Sequence, residues 1–136
     1  MSIMNKLKKR VLIVEDDLLL AEVYKNSLKA EGIKAVTAPD YNSAMAKFSP
    51  QRFDLVILDI ILKGKNGFEL LRDFRKVPQG DKVPVIVITG MNTQQVNMDR
   101  DLMVSLNILG IYTKSQFSID RFVRIVTSQL KRNETV

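Results

Sequence analysis

The chain has 136 residues, which suits one domain with its own buried core and leaves no room for a second. It contains no cysteine and no histidine, so disulfides, thiolate zinc sites and imidazole bases are excluded, and any metal must be bound by oxygen. The formal charge of +6 comes largely from basic residues near the two ends, and such terminal runs are usually only solvated. No stretch is long and apolar enough to span a membrane, and Met1 to Arg10 lacks a signal-peptide core. We therefore expect a soluble cytoplasmic protein with no membrane partner, and nucleic acid is not the favoured ligand.

The first third of the chain alternates between apolar runs typical of strands and segments with helical spacing. Val11–Val14 predicts the first strand, and the helix after it carries apolar residues on one face: Leu20, Tyr24 and Leu28. One acid of the segment 15–17 between them is expected to cap this helix. Gly32 stands where a left-handed helix cap is expected, and Ile33–Thr37 predicts the second strand.

The middle of the chain continues the alternation. Tyr41–Phe48 predicts a short second helix. The run 54–58, which is apolar from Leu55 onward, predicts a third strand that ends in the carboxylate of Asp59. A third helix should begin near Gly67. The run 83–88 then predicts a fourth strand, buried on both faces like the third.

The last third completes a pattern of five strands and five helices. The fourth helix is expected to start between Thr93 and Asp99 and to stop at Gly110. Ile111–Thr113 predicts the fifth strand, and Ser118 or Asp120 should cap the last helix. Such alternation indicates an α/β protein, with an open parallel sheet covered by helices on both faces.

Polar side chains follow four of the five predicted strands. Glu15 and Asp16 come after the first strand, Asp59 after the third, Thr89 after the fourth and Lys114 after the fifth. The carboxyl ends of parallel strands lie at one edge of a sheet, which is where ligands bind. Three crowded carboxylates repel one another unless a cation neutralises them. The sequence therefore predicts a hard divalent ion with oxygen ligands, Mg²⁺ foremost.

At these residues the chain resembles the receiver domain of two-component response regulators. The resemblance covers about residues 8–132, between a basic N-terminal tail (1–7) and a short C-terminal tail (133–136). Four segments carry it: 11–17, the strand ending in Asp59 with Asn66-Gly67 after it, 86–90, and 110–114. The resemblance implies a flavodoxin-like (βα)5 doubly wound sheet of strand order 2-1-3-4-5.

The resemblance also implies a role for each site residue. Asp59 would accept a phosphoryl group from a sensor histidine kinase or a phosphotransfer protein, with Mg²⁺ held by Glu15, Asp16 and Asp59. Thr89 and Lys114 would contact the phosphoryl oxygens. The domain would be a signalling switch and not an enzyme in the usual sense. It would act on an unidentified downstream protein through its fourth helix, fifth strand and fifth helix, as a monomer or weak homodimer.

Several positions depart from the usual pattern of the family. Ile111 occupies the place of an aromatic switch residue, and Tyr112 should point to the opposite face of the strand. Ser115 replaces a usual proline, so we expect a trans bond after Lys114. The positions that tune phosphoryl lifetime hold Ile61 and Met91, neither of which can orient a water molecule, and this predicts slow self-dephosphorylation.

Two other interpretations remain open at this point. A pseudo-receiver would have the same fold but act as an interaction module that is never phosphorylated. A flavodoxin-like nucleotide or flavin binder is disfavoured, because acids and not glycines follow the first strand. With only 133–136 after the last helix, we expect a stand-alone receiver.

Overall fold

The computed structural model describes residues 8–62, 65–90 and 100–134. The strands of its main sheet are β1 (Arg10–Val14), β2 (Lys34–Ala38), β3 (Leu55–Leu58), β4 (Val85–Thr89) and β5 (Ile108–Thr113). The helices are α1 (Leu18–Lys29), α2 (Tyr41–Lys47), α3 (Gly67–Lys76), α4 (Arg100–Ser105) and α5 (Ile119–Glu134). Within these described ranges, no helix combines the length and the apolar character that crossing a bilayer requires.

The five strands form one parallel sheet in the order β2-β1-β3-β4-β5. This confirms the predicted order 2-1-3-4-5 and the α/β class. Every residue of β3 and β4 is buried, because helices cover both faces of the sheet and neither side of these strands is exposed to solvent. That burial explains why both strands are unbroken apolar runs in the sequence.

The core has two halves, one on each face of the sheet. On one face α2 and α3 pack on the sheet, with Leu70 and Phe74 fully buried. On the other face α1 and α5 pack together, and the rings of Tyr24 and Phe122 stack with centroids 4.3 Å apart. Alternate residues of each central strand serve opposite halves, as the period of a strand requires.

Local capping sets the ends of α1 and α5. The Asp17 carboxylate accepts a hydrogen bond from the Leu20 N–H at 3.1 Å, so this acid is the predicted N-cap of α1. Gly32 has φ +77°, the left-handed conformation that turns the chain into β2. The Ser118 hydroxyl accepts from the Arg121 N–H at 3.1 Å, so Ser118, and not Asp120, caps α5.

The start of α3 is packed against the end of β3. A Cβ on Gly67 would lie 2.5 Å from the Asp59 carbonyl oxygen and 2.7 Å from the Ile60 Cα. The Gly67 N–H donates to the Ile60 carbonyl at 2.6 Å. Only glycine allows this approach, so Gly67 brings the first turn of α3 against the backbone of Asp59.

The predicted boundary between the fourth helix and the fifth strand is wrong. The helix ends at Ser105 and not near Gly110, and β5 begins at Ile108, three residues before the predicted Ile111. Asn107 takes the left-handed conformation (φ 54°), and Ile108 pairs with Val85. Pairing with the neighbouring strand thus overrides the helical spacing of the leucines here. The predicted helix start, between 93 and 99, lies outside the described residues.

Candidate functional site

Three polar side chains are buried at the carboxyl edge of the sheet. Glu15, Asp59 and Thr89 are 3%, 4% and 0% exposed. The backbone hydrogen bonds between neighbouring strands continue into the two acids. The Asp59 N–H donates to the Val14 carbonyl at 3.0 Å, and the Glu15 N–H donates to the Ala38 carbonyl at 3.1 Å. The sheet therefore sets the positions of Asp59 and Glu15 directly.

Lys114 joins the two acids. Its Nζ lies 2.7 Å from Asp59 Oδ2 and 2.8 Å from Glu15 Oε1. Burial by itself would lower the pKa of Lys114, but the hydrogen bonds to Asp59 and Glu15 outweigh it and raise that pKa above its ordinary value. Burial raises the pKa of Glu15, and the hydrogen bond from Lys114 only partly opposes this. Two buried carboxylates thus share one ammonium group.

Backbone N–H groups also donate to both carboxylates. The Ile61 N–H donates to Asp59 Oδ1 at 3.0 Å, and the Asp17 N–H donates to Glu15 Oε2 at 3.0 Å. Asp59 is therefore held on one oxygen by the main chain and on the other by Lys114. The acid is oriented before any ligand arrives, which lowers the cost of reaction at its oxygen.

The third acid, Asp16, completes a candidate metal site. Oxygen atoms of Glu15, Asp16 and Asp59 all lie within 4.8 Å of one another. A set of carboxylate oxygens and no nitrogen or sulfur fits a hard divalent cation such as Mg²⁺. The repulsion among the three acids predicts a metal as the group that neutralises them. Lys114 supplies part of that positive charge instead.

Thr89 and Lys114 come together through strand register. Thr89 ends β4 and is paired with Thr113, the residue directly before Lys114. The peptide bond between Lys114 and Ser115 is trans, as predicted. All five predicted site residues therefore lie at one edge: Glu15, Asp59 and Lys114 in direct contact, Asp16 beside them, and Thr89 next to the strand that carries the lysine.

Two features of the site were not predicted. The sequence predicts Gly67 as a helix start and as part of a family segment, but not its role in letting α3 approach Asp59. Leu18 and Leu19 open α1 directly after the acids and are 69% and 82% exposed, so two large apolar side chains stand together at the surface. The available signal was three successive leucines where a helix that buries one face needs only Leu20.

Comparisons with known proteins agree with this architecture. The chain is 30% identical over 137 residues to the DNA-binding response regulator MtrA of Mycolicibacterium smegmatis, covering 96% of this chain and 54% of that protein. The chain thus spans about half the length of this curated relative.

Solved structures show the same fold. A CheY-like receiver domain protein from Methanospirillum hungatei has 23% identity and a TM-score of 0.77, over 94% of this chain and 98% of that one. A two-component response regulator from Clostridium difficile has 21% identity and a TM-score of 0.79, over 94% and 100%. The sequence model of the response regulator receiver domain matches residues 11–126. The chain therefore belongs to the response regulator receiver domain family.

Proposed function

We propose that this protein is a phosphorylation-dependent switch in which Asp59 accepts a phosphoryl group from the phosphohistidine of a sensor kinase or phosphotransfer protein. Receiver domains are signalling switches and not classical enzymes, and we assign residues 8–132 to a single such domain. One observation carries the proposal. The Asp59 carboxylate is 4% exposed, contacts Lys114 at 2.7 Å and lies among two further acids at the ligand-binding edge.

The chemistry follows from the way Asp59 is held. A carboxylate oxygen of Asp59 attacks phosphorus, an O–P bond forms, and the P–N bond to the donor imidazole breaks with its electron pair passing to nitrogen. No base is needed, because the carboxylate is already a nucleophile. Lys114 transfers its contact from Asp59 to an oxygen of the bound phosphoryl group, and the Thr89 hydroxyl donates to another.

Charge repulsion is the main barrier to this reaction, because a dianionic phosphoryl group approaches three acids. Glu15, Asp16 and Asp59 are the residues that would hold Mg²⁺. When bound, the ion supplies positive charge against the phosphoryl oxygens. The residues of the chain itself contribute orientation through the Ile61 N–H and charge through Lys114.

The surface beside the acids suits a protein donor. Leu18 and Leu19 lie at the start of α1, and Val23, one turn after Leu19, is 45% exposed. Exposed apolar side chains next to a reactive group indicate a contact surface for a partner. We assign this surface to the phosphodonor, which would place its phosphohistidine over Asp59.

The signal leaves by α4, β5 and α5 in this proposal. Ile111 packs in the core half that contains Met103 and Leu106, so it can respond to changes in α4. Tyr112 faces the other core half and stacks on Phe117 with ring centroids 4.9 Å apart. The switch position therefore has no aromatic ring to reorient, and movement of the backbone around α4 carries the signal to a downstream protein.

A phosphorylation assay tests the assignment of Asp59. Wild type treated with acetyl phosphate and Mg²⁺ should gain the mass of one phosphoryl group, as an alkali-labile adduct. Asp59→Asn should gain none, because an amide is not a nucleophile at neutral pH. Asp120→Asn, which removes an exposed acid on α5, should behave like wild type. Lack of any mass gain in wild type would instead support a pseudo-receiver, and a lasting gain in Asp59→Asn would place the acceptor elsewhere.

A further inference from the structure

A lysine-lined groove runs along β2, at the opposite edge of the sheet from β5. Its volume is about 470 Å³, within the range of ligand pockets. Five lysines line it: Lys8, Lys25, Lys29, Lys34 and Lys47. Among the described residues, the rest of the lining is neutral and mostly apolar, including Ile33, Ala35 and Val36, and contains no acidic residue.

The groove contains the open edge of the sheet. β2 is the last strand in the order, and no strand of the described ranges pairs with its outer side. The Lys34 N–H donates inward to the Lys9 carbonyl at 2.9 Å. Because strand residues alternate, the backbone groups of Ala35 and Thr37 point outward. The Thr37 carbonyl is indeed reached from outside by Lys47 Nζ at 2.6 Å.

In the described part of the chain, the positive charge of this groove is not balanced by ion pairs. Within residues 8–62, 65–90 and 100–134, none of the five lysines has a carboxylate within the 4.0 Å of an ion pair. Lysine on an edge strand commonly prevents strands from joining. That role accounts for Lys34, which is on β2, but not for Lys25 and Lys29 of α1 or Lys47 of α2. Those side chains reach the groove from helices on both sides of the strand.

We propose that this groove binds an extended acidic segment of a partner protein, which adds to β2 as a sixth strand. Main-chain hydrogen bonds to Ala35 and Thr37 would supply pairing, and the lysines would bind alternate carboxylates of the segment. A second copy of β2 is excluded as the occupant, since it would bring two sets of lysines together. The chain's own first seven residues contain no acid and include Lys6, so they are not complementary either.

A labelled peptide of alternating glutamate and valine tests this proposal on the full chain. Fluorescence anisotropy should show saturable binding that weakens at high salt. The double variant Lys25→Gln, Lys29→Gln should weaken binding by about tenfold, as expected for two partly screened ion pairs. The matched double variant Lys76→Gln, Lys82→Gln removes equal charge from exposed positions outside the groove and should leave the affinity unchanged.

Amide hydrogen exchange identifies strand addition. The N–H groups of Ala35 and Thr37 should become protected when the peptide binds. A peptide of equal charge with alternate N-methylated residues cannot pair with the strand and should bind weakly and protect neither amide. Equal binding of the N-methylated peptide, tighter binding of a single-stranded DNA oligonucleotide of the same charge, or equal affinity of both lysine variants would each overturn the proposal.

Discussion

Lys114 supplies part of the positive charge that balances the acid cluster. It contacts both Asp59 and Glu15, so the two buried carboxylates are neutralised in part by a group of the same chain. A buried acid without a partner would cost several kcal/mol. The ammonium group of Lys114 offsets the free-energy cost of burying the Asp59 carboxylate. The raised pKa of Lys114 keeps this ammonium group charged at neutral pH.

The acid cluster should make the stability of the protein depend on Mg²⁺. At a Mg²⁺ concentration ten times the dissociation constant, binding to the folded state alone should add about 1.4 kcal/mol to the free energy of unfolding. Thermal melts with Mg²⁺ and with a chelator measure this. Asp16→Ala should lose the effect, because it removes one of the three clustered carboxylates.

Asp17→Ser is the control for this experiment. It removes the neighbouring acid, which lies outside the cluster, while serine can still cap α1. Its response to Mg²⁺ should match wild type. Equal stabilisation of Asp16→Ala and wild type would show that the ion binds elsewhere.

Ile61 should slow the loss of the phosphoryl group. Its N–H donates to Asp59, and its side chain is 53% exposed beside Asp59 but has no polar atom that could orient a water molecule. Ile61→Asn should speed hydrolysis about tenfold, or about 1.4 kcal/mol of barrier. Release of inorganic phosphate from the phosphorylated protein measures the rate. Val104→Asn, an exposed apolar residue on α4, is the control, and equal rates in both variants would contradict the assignment. Met91, the other predicted lifetime position, lies outside the described residues.

At the scale of elements, Arg75 connects α3 to the turn between α4 and β5. Its guanidinium donates to the Leu106 carbonyl at 2.9 Å, the Gly80 carbonyl at 2.6 Å and the Val83 carbonyl at 2.7 Å. Burial lowers the pKa of Arg75 from its ordinary value. One side chain therefore satisfies three backbone acceptors from two separate segments, residues 80–83 and the turn that starts β5 earlier than predicted.

Arg75→Met should destabilise the protein by about 2 to 4 kcal/mol, because partly buried carbonyls lose their donors while the apolar volume is kept. Urea unfolding measures the change. Arg72→Met, on an exposed face of the same helix, should stay within about 0.5 kcal/mol of wild type. If the two variants were equally stable, the contacts of Arg75 would contribute nothing net to folding.

In the proposed switch, a signal from Asp59 must reach the surface of α4, β5 and α5 through the end of β4. Thr89 is fully buried there and directly precedes the segment that leads to α4. We expect beryllofluoride with Mg²⁺, a phosphoryl mimic, to change amide exchange within residues 90–109 in wild type. Asp59→Asn should show no change there. Unchanged exchange in this segment of wild type would mean that the signal leaves by another route.

The sequence alone determined the fold class, the strand order expected from the family and the residues of the acid cluster. Buried parallel strands must be continuous apolar runs, so the polar residues that end them, above all Asp59, are visible without a structure. Because the strands are parallel, their carboxyl ends, and with them these polar residues, lie at one edge of the sheet. The N-cap of α1 was also predictable, since capping depends only on a few neighbouring residues.

The remaining features depend on contacts between distant segments, so they could be found only in the folded protein. Pairing with Val85 made Ile108 the start of β5, although the leucines around it have helical spacing. The ion pairs of Lys114 with Asp59 and Glu15 join residues 55 and 99 positions apart. The close approach at Gly67 and the lysines that converge on β2 likewise come from separate elements. Periodicity records which face of an element is buried, but it does not record which other element covers that face, and these contacts depend on that neighbour.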